Sequence, residues 1–230
     1  MVSREEFASF ISELKKGEID ILETNKKEKK EKEIEHIRHW TTLYRRNLDL
    51  FNHDYLGIST AFFQDIMINT MADNEVCDDV CSRGLSKTYC TALFAMDWAL
   101  LYPESKILIT AKTLTQANLI VDEKINKIFC SKGTPWSSPV LCRLRDDGWL
   151  KFGVDKETGG KTVTFGNGSE ILSAPCIDSL RGKRSTVLIT DEFVLVKKVD
   201  YDEIASPTLE VRKFKGRPAD YTEETKQIFL

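Results

Sequence analysis

One short stretch restricts the fold of this chain more than any other. It reads Cys81-Ser82-Arg83-Gly84-Leu85-Ser86-Lys87-Thr88 and leads into an apolar segment with helical spacing that ends before Pro103. A Lys-Thr pair that opens a helix suits a bound phosphate, because backbone N–H groups and the helix dipole favour negative charge there and the lysine neutralises it. In the usual loop of this kind two glycines frame the four residues before Lys-Ser/Thr, whereas here Cys81 and Ser86 occupy those positions. The assignment therefore depends on the elements around the loop.

Those elements alternate between helix and strand. A helix over 88–101 is followed by Ser105–Ala111, an apolar run that is rich in strand formers and too short for a helix. A second helix is predicted from Thr113 to Phe129, and Val187-Leu188-Ile189 is the most apolar strand of the chain. This order predicts the α/β class, with a mostly parallel sheet flanked by helices as in P-loop NTPases.

Three other segments have patterns of their own. Residues 75–81 predict a short, weak strand that leads into the loop. Residues 131–160 are rich in Gly, Pro, Ser and charge and predict an irregular excursion. Residues 162–173 alternate in polarity around an Asn-Gly turn and predict a β-hairpin.

A pair of carboxylates, Asp191 and Glu192, follows the strand 187–189. A carboxylate at the carboxyl end of a central parallel strand lies where ligands bind in open α/β sheets. We therefore expect Asp191 to hold Mg²⁺, directly or through water, and Glu192 to polarise the attacking water. Two solvent-facing acids at a strand end are the other reading of this pair. Because the loop and the acids occur in the expected order and on the expected elements, together they predict a nucleoside triphosphate site.

Two further segments offer candidate contacts. Residues 40–64 contain many large apolar side chains, most of which we expect in the core, and Gln64 can both donate to and accept from the edge of an adenine. Arg181, Lys183 and Arg184 come directly before the strand at 187. These cations could either lie beside the triphosphate or form an exposed turn.

Composition excludes several classes of protein. The chain has 33 Lys and Arg against 36 Asp and Glu, so its formal charge of −3 provides no global basic field for nucleic acid. No run of about 18 apolar residues occurs, and Met1–Glu6 lacks the apolar core of a signal peptide. The 6 cysteines show no Cys-x-x-Cys spacing and are expected to be reduced thiols. We therefore expect a soluble protein with no membrane partner.

The chain is expected to divide near its N-terminus. Residues 1–38 predict a helical, charged extension, with an amphipathic helix up to Gly17 and a solvated helix or linker over 26–33. Residues 39–230 predict the P-loop domain. The chain stops at Lys226–Leu230, an apolar, strand-like end that predicts a domain incomplete at its C-terminal side.

With both motifs present, the chain resembles the ATPase domain of the large terminase subunit of tailed bacteriophages, the motor that drives DNA into procapsids. The resemblance covers about residues 40–210 and rests on a set of short segments. These are Tyr55-Leu56-Gly57-Ile58, Phe63-Gln64, Cys81–Thr88, Tyr102-Pro103, Lys106-Ile107-Leu108-Ile109, Leu180-Arg181-Gly182 and Val187–Phe193. Phosphate loops of this family are irregular and often carry Ser-Arg early, as Ser82-Arg83 does here. Ser86 is the sharper departure, because its side chain can crowd the phosphate path or strain the backbone.

The resemblance implies roles for individual residues. It makes Lys87 the ligand of the β- and γ-phosphates, and Thr88 and Asp191 the magnesium holders. It makes Glu192 the catalytic carboxylate, and Arg83 the loop arginine that senses or stabilises the γ-phosphate, with Arg181 and Arg184 as weaker candidates. The expected ATP-binding residues are Gln64, Ser82, Arg83, Gly84, Leu85, Ser86, Lys87 and Thr88, with Gln64 against the adenine. Glu192, Arg83 and Lys87 are the expected catalytic residues.

The resemblance also implies a function and partners. It implies an ATP-hydrolysing, Mg²⁺-dependent motor domain for double-stranded DNA, which works with a portal protein, a small terminase subunit and further copies in a ring. Its place would be the cytoplasm of the infected bacterial host. Because the family's nuclease domain follows the motor, we expect no nuclease activity from these residues. Two other readings stay open: another P-loop nucleic-acid translocase or helicase-like ATPase, and a non-catalytic remnant that acts as an interaction module.

Overall fold

The computed structural model describes residues 29–82, 84–210, 212–213, 222–223 and 225–230. Contacts divide the chain into two compact units, Met1–Leu43 and Tyr44–Leu230. Helix α1 covers residues 29–46, and its side chains at 29–40 are all exposed, which confirms a solvated helix over 29–33. The predicted amphipathic helix near Gly17 and the start of the charged run lie outside the described residues.

A seven-stranded sheet organises the larger unit. Its strands are β1 (Val76–Asp78), β2 (Lys106–Ala111), β3 (Leu150–Val154), β4 (Lys161–Phe165), β5 (Glu170–Pro175), β6 (Val187–Thr190) and, at the end of the chain, β9 (Lys226–Phe229), in the order β1-β9-β6-β2-β5-β4-β3. Strands β7 (Arg212–Lys213) and β8 (Thr222–Glu223) form a separate antiparallel pair.

Most of the sheet is parallel, as predicted. Strands β1, β9, β6, β2 and β5 run in one direction, and only the pairings β5–β4 and β4–β3 are antiparallel. Strand β6 lies between β9 and β2 with all of its residues buried, which explains its continuous apolar sequence. Because the carboxyl ends of parallel strands meet at one edge of a sheet, the residues that follow β1 and β6 lie at the same edge.

The region 131–175 confirms one prediction and corrects another. The hairpin predicted over 162–173 is formed by β4 and β5, and β5 also pairs with β2. The irregular excursion predicted over 131–160 instead contains a helix, Pro139–Asp146, and strand β3. This helix has the ordinary start signals, since the Ser138 hydroxyl accepts a hydrogen bond from Leu141 N at 3.2 Å and Pro139 occupies the first turn.

The helix that follows the predicted phosphate loop is the most buried of the longer helices in the larger unit. The longer helices after α1 are α2 (Phe62–Asp73), α3 (Lys87–Leu101), α4 (Leu114–Leu119), which continues as the π-helical segment Ile120–Phe129, and α5 (Pro139–Asp146). Short helical segments cover Leu48–Leu50, Lys198–Asp200 and Tyr201–Ala205. Every residue of α3 from Cys90 to Ala99 is buried, and α3 packs against α2 and the π-helical segment. The core therefore holds the start of α3 in place. Among the described helices, none combines the length and apolar character needed to cross a membrane.

The apolar residues between 40 and 64 are divided between core and surface. Leu48, Phe51, Leu56 and Ile58 are buried. Those that stay exposed are Trp40, Leu43, Leu50, Tyr55, Phe62 and Phe63, with Phe62 at 80%. The expectation that most of this segment packs in the core is wrong for these residues, because helical segments such as α2 bury only one side.

A buried polar pair joins α3 to the π-helical turn Phe51–Leu56. Asp97 and Asn52 are both fully buried, and Asn52 Nδ2 donates to Asp97 Oδ2 at 3.0 Å. The Oδ1 atoms of both side chains lack a hydrogen-bond partner among the described residues. Burial raises the pKa of Asp97 well above its usual value, and the bond from Asn52 opposes this only in part. A protonated Asp97 can donate to Asn52, so the neutral acid fits this pair best.

Asp97→Asn should keep the pair and remove its pH dependence. The introduced amide can accept from Asn52 Nδ2 and donate to Asn52 Oδ1. Because the folded state raises the pKa of Asp97, the wild type has this group's full stabilisation only below the unfolded pKa of about 4 and loses it as pH rises towards the folded pKa. In urea unfolding from about pH 4 to about pH 8, the free energy of unfolding of the variant should therefore rise relative to that of the wild type, by about 1.4 kcal/mol for each unit of raised pKa.

The control for this prediction is Asp97→Ala. It leaves Asn52 without its acceptor and opens a cavity, so it should lower the free energy of unfolding by about 2 kcal/mol or more at neutral pH. If the difference in free energy of unfolding between Asp97→Asn and wild type stays constant with pH, the pKa of Asp97 is the same in the folded and unfolded states and the prediction is wrong.

Candidate nucleotide site

A cleft of about 1130 Å³ lies at the edge of the sheet where β1 and β6 end. It brings together the predicted site residues Gln64, Ser82, Gly84, Leu85, Ser86, Lys87, Thr88, Asp191 and Glu192. Arg83 lies outside the described residues. The two motifs predicted from distant parts of the sequence thus share one cavity.

The loop between β1 and α3 lines one side of this cleft. Leu85 N donates to Ser82 O at 3.4 Å, and Cys90 N donates to Ser86 O at 2.9 Å as α3 begins. Gly84 has φ of 90°, and no described atom lies within 4 Å of the position a side chain would take. Lys87 and Thr88 are the first two residues of α3, where backbone N–H groups have no partner within the helix and can bind an anion.

Ser86 explains why glycine is usual at the end of such loops. It caps α3 with φ 59° and ψ 18°, which is the left-handed region that glycine adopts freely and other residues adopt at a cost. The sequence-based concern about backbone strain at Ser86 is therefore confirmed.

Ser86→Gly should raise the free energy of unfolding by about 0.5–1 kcal/mol, because the strained side chain is removed. Gly84→Ala is the converse variant, because it introduces a side chain at φ 90° where no described atom lies within 4 Å. It should lower the free energy of unfolding by about 1–2 kcal/mol through backbone strain alone. Urea unfolding measures both changes. If the Ser86 side chain also crowds a phosphate, Ser86→Gly will bind Mg-ATP more tightly than wild type. A Ser86→Gly protein that is no more stable than wild type would contradict the strain argument.

Lys87 acts on the acids at the ends of two strands. Burial raises the pKa of Asp191, and the negative charge of Glu192 raises it further, whereas Glu192 N, which donates to Asp191 Oδ1 at 3.0 Å, and Lys87 lower it. Burial likewise raises the pKa of Asp79, and the positive charge of Lys87 opposes this rise, as it does at Asp191. The lysine thus lies close enough to both acids to favour their carboxylate forms.

Asp79 is a cleft residue that sequence reasoning missed. It lines the cleft directly after β1, as Asp191 does after β6, and its backbone N–H donates to Phe229 O of β9 at 2.9 Å. The predicted strand over 75–81 placed Asp79 inside the strand, but β1 ends at Asp78. The signal that could have found it is a carboxylate at the carboxyl end of a parallel strand.

Glu192 is held by backbone and side chain together. Its φ of 48° and ψ of 46° are left-handed, and its Oε2 accepts a hydrogen bond from Gln116 Nε2. Gln116 belongs to the first turn of α4 and also lines the cleft. No sequence pattern signals this contact, because the two residues are 76 positions apart.

Comparison with solved structures finds this architecture in large terminases of phages. The large terminase ATPase domain of Thermus phage P74-26 matches with a TM-score of 0.50 and 16% identity, over 80% of this chain and 85% of that chain. The large terminase of bacteriophage HK97 matches with a TM-score of 0.53 and 13% identity, over 75% of this chain and 33% of that chain. The chain has the fold of a large terminase ATPase domain. It spans about a third of the HK97 protein, and neither a protein-family model nor a curated protein matches its sequence.

Within this terminase ATPase fold, Gln64 uses its amide oxygen to cap a helix. It lies in the first turn of α2, and its Oε1 accepts a hydrogen bond from Ala61 N at 2.8 Å, which caps the helix. Its amide NH₂ is the group that can contact an adenine at the cleft.

The cations before β6 lie elsewhere. Arg181, Lys183 and Arg184 line a separate groove, and each pairs with a nearby acid. The pairs are Arg181 Nε with Asp178 at 2.8 Å, Lys183 Nζ with Asp155 at 3.1 Å, and Arg184 with Glu210. This arrangement favours the exposed turn over a position beside the triphosphate of the same chain.

Proposed function

We propose that this chain binds and hydrolyses ATP, and that it is the motor domain of a phage terminase large subunit that drives double-stranded DNA into procapsids. One observation carries the first part: Lys87-Thr88 at the start of α3 and Asp191-Glu192 after β6 line the same cleft. A cation at a helix N-terminus opposite paired carboxylates suits an anionic substrate that arrives with a divalent cation.

The residues present fit magnesium. Thr88 and Asp191 are both half-buried and offer a hydroxyl and a carboxylate to the cleft. Mg²⁺ prefers oxygen ligands, and nucleotide sites usually hold it through one or two protein ligands together with the phosphates. When bound, it would neutralise negative charge on the phosphates.

The protein's own groups divide the remaining work. The first-turn N–H groups of α3 and the Lys87 ammonium would hold the phosphate oxygens, with Arg83 as a further cation near the γ-phosphate. Glu192 would accept a hydrogen bond from the attacking water and turn that water towards phosphorus. Phosphoryl transfer needs little covalent chemistry from the protein. The placement of these charged groups around the phosphates and the water would therefore account for most of the acceleration of hydrolysis.

The packaging part of the proposal rests on the shared fold with terminase ATPase domains. The proposed partners are double-stranded DNA, a portal protein, a small terminase subunit and other copies of the chain in a ring, in the cytoplasm of the infected bacterium. A different P-loop translocase would use the same cleft. Turnover stimulated by portal-bearing procapsids together with DNA supports the packaging motor, whereas stimulation by DNA alone favours the other translocase.

Nucleotide binding is the first test. Millimolar Mg-ATP should raise the melting temperature of the purified protein, because a ligand that binds only the folded state stabilises it. Phosphate release should follow at a measurable rate. No shift at millimolar Mg-ATP would contradict the proposal and favour a non-catalytic interaction module.

A further inference from the structure

A chain of polar contacts connects the N-terminus of α4 to Glu192. The Thr113 hydroxyl caps α4 by accepting from Gln116 N at 3.3 Å, and it donates to Gln116 Oε1 at 2.9 Å. Gln116 Nε2 in turn donates to Glu192 Oε2. Residues from two different elements of the sheet edge are thereby joined at the cleft.

We propose that Gln116 is a positioning residue that holds the Glu192 carboxylate for its work on the attacking water. The proposal rests on the proposed function, because it concerns the same site and the same reaction. It assigns the α4 N-terminus a part in hydrolysis that no motif predicts.

Glu192 and Thr113 together fix which end of the Gln116 amide points at the carboxylate. A carboxylate can only accept hydrogen bonds, so it needs the NH₂ end of the amide. The Thr113 hydroxyl donates to the amide oxygen and thereby favours the orientation in which Nε2 reaches Glu192. The cap of α4 therefore serves both the helix and the orientation of Gln116.

Glu192 needs such a tether because little else restrains its side chain. It is exposed, and it follows β6 in a left-handed backbone conformation. A free glutamate side chain samples many rotamers, most of which leave a bound water unaided. Gln116 uses only Oε2 of the carboxylate, so Oε1 remains to accept a hydrogen bond from water. The contact therefore holds the carboxylate in place and leaves one of its oxygens available to the attacking water.

Gln116→Met tests the proposal, because it keeps the length of the side chain and its helix propensity while it removes the donor. We expect kcat for ATP hydrolysis to fall about 10- to 100-fold, since small displacements of a catalytic group cost rate. The Kd for Mg-ATP should stay within about twofold of wild type, because the contact is made to Glu192 and not to the phosphates. Thr115→Met places the same side chain at the exposed neighbouring position and should leave kcat unchanged.

Two further comparisons separate positioning from a general effect on folding. In a Glu192→Gln background, Gln116→Met should cause little additional loss of single-turnover rate, because the two changes remove one function. Thr113→Ser should keep the wild-type kcat and Thr113→Val should lower it, although both variants fold in a urea titration.

The outcomes distinguish this inference from the proposed function. No ATP turnover by the wild type would overturn the proposed function and this inference with it. Wild-type turnover with an equal or higher kcat in Gln116→Met would overturn the inference alone. A parallel loss of kcat in Thr115→Met, or a loss confined to Mg-ATP affinity, would also overturn it.

Discussion

The Glu192→Gln protein should bind Mg-ATP with close to wild-type affinity and hydrolyse it about 10²- to 10⁴-fold more slowly. The substitution keeps the shape of the side chain, and the new amide oxygen can still accept from Gln116. It removes the negative charge that we propose polarises the attacking water, and it leaves residues 82–88 unchanged. Single-turnover hydrolysis and the Mg-ATP dependence of the melting temperature measure the two halves of the prediction.

A matched control separates chemistry from backbone strain at this position. Glu104 is also left-handed, with φ of 58°, but it is not among the residues that line the cleft. Glu104→Gln should therefore change neither binding nor turnover. If Glu192→Gln loses binding together with hydrolysis, Glu192 has a role in holding the nucleotide and not the role assigned to it.

The Lys87→Ala protein should lose about half or more of the stabilisation by Mg-ATP. Charge-assisted contacts to phosphate contribute about 1.5–3 kcal/mol, so we expect the Kd to rise at least about tenfold. A ligand at 100 times its Kd stabilises a protein by about 2.7 kcal/mol, and about half of this gain disappears when the Kd rises tenfold. Differential scanning fluorimetry over a range of Mg-ATP concentrations measures the effect.

Lys124 provides the control for Lys87, because it is another cation that lines the cleft but lies in the π-helical segment and not at the start of α3. Lys124→Ala should weaken binding less than Lys87→Ala does. Without nucleotide, Lys87→Ala should also raise the pKa of Asp79 and Asp191, since Lys87 now lowers both. Full stabilisation of Lys87→Ala by Mg-ATP would contradict the phosphate-loop assignment.

The local elements of the site could be predicted because their signals are short-range. The apolar run at β6 needs both faces covered, and the carboxylates that follow it have one usual place in a parallel sheet. The Lys-Thr pair before an apolar helix likewise marks an anion site. The strain at Ser86 followed from the same reasoning, since a non-glycine residue stands where a left-handed turn is usual.

The sequence left the position of the cations before β6 open between an exposed turn and the triphosphate. The cations before β6 had a plausible use beside a triphosphate, yet each is paired with an acid in a separate groove. Sequence spacing shows where a charge lies along the chain, but not which opposite charge approaches it in space. The same limit hid Asp97, whose place in an apolar helix depends on Asn52.

The sequence by itself indicated the α/β class, strands β2 and β6, helix α3, the hairpin of β4 and β5, and the candidate loop and acid pair, because periodicity, turn residues and helix caps act over a few neighbouring positions. Only the tertiary structure decided that Asp79 joins the cleft, that Gln116 contacts Glu192 and that Arg181 and Arg184 lie outside it. These placements arise when β1, β9, β6 and β2 come together in register and bring residues far apart in the chain to one edge of the sheet.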